Sequence, residues 1–327
     1  MNPSRLDVLL VGPAKQVIVD GLASAVTVHK LIETSDQEAF LTAVAPQVRA
    51  IAVTNVANQI DAAFMSRFKS LEILSTFGVG YDHVDVRWAK NHDIVVTNTP
   101  DVLNEEVADT AVSLLLNVVR EFPQAERYLR AGKWLQGPYQ LSQGTLRDRT
   151  IGIVGMGRIG RAIARRIDGF NVPIVYHARN WRRDLRYQFY PRLIEMARVA
   201  DTLMLIVPGG ASTSNLVDKE ILEALGPRGV LINMAHGSVV DEMALITALQ
   251  NKTIMAVGLD VFANEPHVPE ELVNMDNVVL YPHLGSRSDY THRAMDQIVV
   301  DNILAWASGN EPLNPIPETS GPLKRKF

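Results

Sequence analysis

Short apolar runs recur along the chain and are separated by mixed stretches with helical spacing. Residues 6–11 (Leu-Asp-Val-Leu-Leu-Val) read as a buried strand ended by Gly12-Pro13. Residues 26–31, 50–53, 71–75 and 94–97 read as further strands, the last two running toward Gly78-Val79-Gly80 and Asn98-Thr99-Pro100. Asp101 is placed to cap a long helix from about Val102 to Arg120, whose apolar residues cover a wide face. Residues 132–148 are richer in Gly, Gln and Pro and read as a loop. Strands are then expected at 174–177, 202–207, 230–233, 254–261 and 278–281, followed by a helix over 289–308, a Pro-rich end and a basic tail at Lys324-Arg-Lys326 that reads as a solvated terminus. Alternation of strands and helices predicts parallel sheets with helices on both faces, and the first ~100 residues form one small α/β unit.

One run carries more than fold. Gly152-Ile-Val-Gly155-Met156-Gly157-Arg158-Ile159-Gly160 is an apolar strand followed by glycines at G-x-G-x-x-G spacing, and residues 161–167 continue as a helix. Strand, glycine turn and helix in that order make a dinucleotide site. Gly155 permits the tight turn, Gly157 lets backbone approach a pyrophosphate, and Gly160 lets helix and strand pack closely. The helix N-terminus then offers N–H groups and partial positive charge to phosphates. Roughly 150 residues precede this run, enough for a separate domain.

Composition narrows the class. The chain has 327 residues, 47% of them hydrophobic, which fits two folded domains and argues against global disorder. A net charge of −4 gives no basic surface for nucleic acid. The chain has no cysteine, which excludes disulfides, thiolate metal sites and a cysteine nucleophile, and fits a reducing compartment. No stretch approaches the ~20 apolar residues of a membrane span, and the first apolar run is too short for a signal h-region. These features predict a soluble, cytoplasmic protein with no membrane partner. The His and acidic residues show no metal-ligand spacing.

Ligands of open α/β sheets sit beyond the carboxyl ends of the strands. The polar clusters there are Gly78-Val-Gly80, Asn98-Thr-Pro100, Pro208-Gly-Gly210, Ala235-His236-Gly237, Asp260 with Glu265-Pro266, and His283-Leu-Gly285-Ser286. His283 and Glu265 form the sharpest pair. Hydride transfer to a ketone leaves an alkoxide that needs a proton, which histidine supplies near neutral pH. A neighbouring carboxylate holds the ring and favours its protonated form.

Taken together, Gly78-Val-Gly-Tyr-Asp-His-Val-Asp85, Asn98-Thr-Pro-Asp101, the fingerprint, Gly258-Leu-Asp-Val-Phe262 with Glu265-Pro266, and Pro282-His283-Leu-Gly-Ser286 resemble the D-isomer specific 2-hydroxyacid dehydrogenases, in particular the glyoxylate/hydroxypyruvate reductase branch. The resemblance spans nearly the whole chain. It implies an α/β protein of two Rossmann-like domains: a flavodoxin-like substrate domain (1–100 and 289–327) and an NAD(P)-binding Rossmann domain (101–288). It also implies a homodimer with the 102–120 helix in the interface. By resemblance, His283 is the acid/base, Glu265 its partner, Val79 and Gly80 offer N–H groups to the substrate carboxylate, and Asp260 holds the nicotinamide carboxamide. The expected cofactor contacts are Val107, Gly155, Met156, Gly157, Arg158, Ile159, Gly160, Arg179, Asn180, Arg182, Val207, Pro208, Ala235, Asp260 and Gly285. A glutamine before the proline would suit formate dehydrogenases, whereas this chain has Glu265. No regulatory domain of the phosphoglycerate dehydrogenase kind fits after residue 310. Trp134 and Tyr139 lie in a loop that, in the reductase branch, reaches the partner subunit's active site; they either select substrate size or pack in the interface.

One position departs from the family pattern. Where an Asn-x-x-Arg-Gly arrangement is expected, the chain reads Asn233-Met-Ala-His236-Gly237. Arginine is always charged and donates through a planar fork, whereas histidine is shorter and often neutral at pH 7. His236 is therefore a natural, weaker clamp, an introduced change that cripples the enzyme, or a mark of a protein that keeps fold and cofactor without catalysis. In that last case the chain would be a nucleotide-sensing binding protein, like the co-repressors of this fold. Arg287, just after His283, is expected to face solvent. Cofactor choice is also legible. NAD enzymes carry an acid about 20 residues past the fingerprint for the ribose 2′-OH. Here the strand end continues Ala178-Arg179-Asn180, and Asp184 comes later, within an arginine run. Arg179, Arg182 and Arg183 suit a 2′-phosphate, so NADPH is expected over NADH, with a small 2-keto acid as substrate.

Overall fold

The apolar runs pair side by side, all in parallel. The structure, a computed structural model, describes residues 6–55 and 58–321, so the basic tail lies outside the described residues. The chain divides into two compact units, one of residues 1–103 and 288–327, the other Asn104–Arg287.

In the first unit, strands β1 (Leu6–Val11), β2 (Val26–Lys30), β3 (Val48–Val53), β4 (Ile73–Thr76) and β5 (Val95–Thr97) alternate with helices α1 (Gln16–Ala23), α2 (Gln37–Val44), α3 (Ala62–Met65) and α4 (Val86–Asn91). The sheet order is β2-β1-β3-β4-β5, the flavodoxin-like arrangement. Successive strand residues point to opposite faces. Leu9, Val11, Ile51, Val53 and Leu74 therefore pack on Leu41, Met65 and Phe68. Val8, Leu10, Ala50, Ala52 and Ile73 pack on Ile18, Leu22, Val299, Ile303 and Trp306, the last three from the C-terminal helix Asp289–Ala307. Both faces being covered explains why these strands read as continuous apolar runs.

The second unit opens with α5 (Asn104–Val119) and α6 (Phe122–Arg130), then β6 (Ile151–Val154), α7 (Arg158–Asp168), β7 (Ile174–His177), β8 (Gln188–Tyr190), α8 (Leu193–Ala197), β9 (Thr202–Leu205), α9 (Lys219–Leu225), β10 (Val230–Asn233), α10 (Glu242–Gln250), β11 (Ala256–Leu259), α11 (Glu270–Val273) and β12 (Val278–Leu280). The sheet order is β12-β11-β10-β9-β6-β7-β8, a Rossmann sheet with a seventh strand at one edge. Leu203, Leu205, Leu231 and Val257 pack on Met196, Leu222 and Leu249 of the helices on one face.

Two expectations change. The long helix begins at Asn104, not Val102: Asp101 has φ +72°, and a turn in which Val102 N donates to Pro100 O precedes the first helical residue. Strand β8 has no counterpart in the sequence reading. It has three residues, of which Gln188 is exposed, so its apolar signal is too short to register.

Candidate active site

The order of the second sheet reverses between β6 and β9, and the glycine turn follows β6 at that point. Gly155 has φ +102°, and a Cβ there would meet Ile206 O at 2.5 Å. Gly160 lies so close to the strand that a Cβ would meet Gly155 O at 2.0 Å. Gly157 is the N-cap of α7, no side chain caps that end, and a Cβ on Gly157 would meet nothing within 4 Å. The space beside Gly157 and the absence of a side-chain cap at this end suit a ligand at the N-terminus of α7. These residues fit a dinucleotide pyrophosphate. Met156 is buried, Ile159 and Val207 are half-buried, and Arg158 and Pro208 are exposed on the rim.

The loop after β7 carries the arginines. Arg179, Asn180, Arg182 and Arg183 are all exposed. Arg182 N donates to the hydroxyl of buried Tyr176 at 2.9 Å, and Arg183 lies over the Trp181 ring. Asp184 is bound by the guanidinium fork of Arg161 at 2.5 and 3.3 Å.

His283 and Glu265 are brought together beyond β12 and β11. His283 Nδ1 lies 2.8 Å from Glu265 Oε2, while Phe262 N donates to Glu265 Oε1 at 3.0 Å. The carboxylate is therefore held at both oxygens, and the ring is held through Nδ1, leaving Nε2 as its other proton-carrying atom. The hydrogen bond to Glu265 raises the His283 pKa above the ordinary 6.5, against a smaller opposing effect of burial. Burial pushes Glu265 upward, but the hydrogen bond and charge of His283, together with the Phe262 N–H and the charge of His236, outweigh it and hold the carboxyl below its usual range. Asp260 is 2% exposed, and its carboxylate accepts from Leu284 N and Gly285 N. Burial raises its pKa, opposed by those two N–H donors. Asp260 O also accepts from His283 N at 2.9 Å, so this residue anchors the whole turn in which His283 adopts φ +53°. Val107 is buried beside the same turn, 3.7 Å from the position a Cβ on Gly285 would take. After β10, Ala235 N donates to Asn233 Oδ1, and Asn233 Nδ2 donates to the carbonyl of half-buried His236. His236 also helps hold the Glu265 carboxyl down. Arg287 is exposed.

In the first unit, Gly78-Val79-Gly80 follows β4. Gly78 has φ +112°; its N donates to Thr99 Oγ1, and its carbonyl accepts from Thr99 N, both at 2.9 Å. Asn98 Nδ2 donates to Val79 O at 2.9 Å. The loop is thus pinned through Gly78 and the Val79 carbonyl. Among the described residues none accepts from Val79 N or Gly80 N. Among the described residues no group of His, Asp and Glu is arranged to hold a metal, and no helix is long and apolar enough to cross a membrane.

Comparison with known proteins decides the family. The model for the NAD-binding domain of D-isomer specific 2-hydroxyacid dehydrogenases matches residues 112–285. A glyoxylate/hydroxypyruvate reductase A of Arabidopsis thaliana is 40% identical over 311 residues, covering 95% of this chain and 99% of that protein. The chain belongs to the D-isomer specific 2-hydroxyacid dehydrogenase family. A 2-ketogluconate reductase of Gluconobacter oxydans is 35% identical, over 96% of this chain and 99% of that protein. Among solved structures, the NADPH-dependent glyoxylate/hydroxypyruvate reductase of Sinorhizobium meliloti, crystallised with NADP and malonate, is 50% identical with a TM-score of 0.93, covering 99% of this chain and 100% of that one. This 2-hydroxyacid dehydrogenase falls in the glyoxylate/hydroxypyruvate reductase branch. It is an oxidoreductase with a nicotinamide cofactor and a small-molecule substrate, and keto-acid reduction is what its relatives' names share. The alternative of a nucleotide-sensing binding protein is not favoured.

Several contacts within this 2-hydroxyacid dehydrogenase were not legible beforehand. Asn98 and Thr99 were recognisable as a strand-end cluster, but not as the pins of the Gly78 loop. The contacts of the Tyr176 hydroxyl and the Arg161 guanidinium with the loop after β7 are not announced by residue type or spacing. The anchoring of the His283 turn by Asp260 depends on backbone donors, which leave no trace in residue type.

Proposed function

We propose that this protein reduces a small 2-keto acid, glyoxylate or hydroxypyruvate first, to the D-2-hydroxy acid with NADPH as the preferred cofactor. The observation that carries the reading is the 2.8 Å contact between His283 and Glu265 in a unit that matches the family's NAD-binding domain. When bound, the reduced nicotinamide supplies a hydride to the keto carbon. The chain's own residues manage charge and protons. His283, kept protonated by Glu265, gives its Nε2 proton to the substrate oxygen, a contribution of roughly 10²–10⁴ in rate. The N–H groups of Val79 and Gly80 receive the substrate carboxylate, and Asp260 serves the carboxamide while holding the His283 turn. His236 acts as a reduced clamp in place of the family arginine. The uncapped start of α7 receives the pyrophosphate. The exposed arginines after β7 favour a 2′-phosphate, and the NADP complex of the Sinorhizobium meliloti relative supports that preference.

A homodimer completes the reading. Leu129, Trp134, Leu135 and Leu141 are 53%, 65%, 94% and 93% exposed in one stretch of the second unit, apolar side chains that a partner subunit would cover. The cysteine-free composition supports a cytoplasmic setting. The test is NADPH consumption at 340 nm with glyoxylate, hydroxypyruvate and phenylpyruvate. Saturable turnover with at least one of the first two is expected. Absence of turnover with every 2-keto acid overturns the proposal.

A further inference from the structure

The loop after β7 contains one acid, Asp184, a few residues beyond the strand end where NAD enzymes place the carboxylate that binds the ribose 2′-OH. A free carboxylate there would repel a 2′-phosphate, which carries close to two negative charges. Asp184 is not free. Both its oxygens are taken by the Arg161 fork, and Arg161 belongs to α7, the fingerprint helix. A second acid, Asp168 at the far end of α7, is paired at one oxygen with Arg186 and the hydroxyl of Tyr187 from this loop. The loop is also tied to its own strand, because Arg182 N donates to the hydroxyl of buried Tyr176 at 2.9 Å. Arg179, Arg182 and Arg183 remain exposed beside these neutralised acids.

We infer that Arg161 is a cofactor-specificity residue that acts indirectly, by masking Asp184 so that the loop after β7 presents net positive charge to a 2′-phosphate. The inference rests on the NADPH reading above and explains how an acid within the arginine run is compatible with it. Asp184 stays ionised, since the Arg161 hydrogen bond holds its carboxyl below the ordinary range. An exposed aspartate is ionised at neutral pH even without a partner, so removing Arg161 uncovers a full negative charge.

The test is a charge-swap cycle read by cofactor affinity. NADPH and NADH dissociation constants are measured by fluorescence titration at low ionic strength, with no substrate present, for the wild type, Arg161→Gln, Asp184→Asn and the double variant. Because the pair is exposed, all four proteins are expected to melt within a few degrees of one another. Arg161→Gln should weaken NADPH binding on the order of tenfold and leave NADH nearly unchanged. The double variant should return the NADPH to NADH ratio to within about twofold of wild type, because net charge is restored although the tether stays broken. If the double variant is as weak as Arg161→Gln, or if Arg161→Gln weakens both cofactors equally, the masking role is overturned while the NADPH reading stands. If the wild type itself binds NADH as tightly as NADPH, the reading falls and the inference falls with it.

Discussion

Replacing Glu265 by Gln keeps the shape of the His283 partner and removes its charge. In the native protein the imidazolium is stabilised by a hydrogen bond of 2.8 Å to a carboxylate whose other oxygen is fixed by Phe262 N. A charged hydrogen bond shielded from water is worth about 1.5–3 kcal/mol, and a fully exposed ion pair about 0.2–1 kcal/mol. The side chains here are 50% and 35% exposed, so a value near 1–1.5 kcal/mol is appropriate, equivalent to about one pH unit. The sign follows from the direction of the shift. The His283 pKa is raised, so its proton is present at low pH and is lost as pH rises through that elevated value. The reductive kcat/KM should hold steady at acid and neutral pH and fall on the alkaline side. In Glu265→Gln the fall should begin about one unit lower, with a reduced plateau because the ring is less well oriented. The assay is initial-rate NADPH oxidation across pH 5–9 with glyoxylate. An alkaline limb that stays in place, or moves upward, refutes the role given to Glu265.

Other substitutions test separate parts of the account. His236→Arg supplies the planar fork expected from the family pattern and should raise kcat/KM for glyoxylate by tenfold or more, on the basis of about 1.5–3 kcal/mol for a charged hydrogen bond; an unchanged value would show that histidine clamps as well. Gly157→Ala meets no protein atom within 4 Å and should leave the melting temperature unchanged while weakening NADPH binding, as measured by titration. Gly160→Ala, whose Cβ would lie 2.0 Å from Gly155 O, should lower both stability and affinity, by about 1–3 kcal/mol in denaturant unfolding. In the first unit, buried Glu72 accepts from Trp306 Nε1 at 2.9 Å and is also paired with Arg49; Trp306→Phe removes one donor from a buried carboxylate and should cost about 1–3 kcal/mol.

The two sheets were legible because their strands are buried on both faces and stand out as apolar runs such as Leu6–Val11 and Val230–Asn233. The nucleotide turn was legible because its geometry demands glycine: no other residue clears Ile206 O at position 155 or Gly155 O at position 160. His283 and Glu265 could be paired through their places after two strands, and the structure brings them within hydrogen-bonding distance. What escaped depends on tertiary contact. The long helix starts two residues later than its apolar pattern suggests because Asp101 is in the left-handed region and Val102 N closes a turn onto Pro100 O. The Arg161–Asp184 pair joins residues 23 positions apart on different elements, which no local period reveals. Strand β8 owes its existence to pairing with β7 and not to its own three residues.

The central claim is that a hydride reaches a 2-keto acid in this protein and that the resulting oxyanion takes its proton from His283 to give the D product. Chiral analysis of the glycerate formed from hydroxypyruvate and NADPH examines that claim at the level of the product. The account predicts D-glycerate alone from the wild type and a loss of at least a hundredfold in its rate of formation with His283→Gln. L-glycerate, a racemic mixture, or a His283→Gln enzyme as fast as the wild type would contradict it.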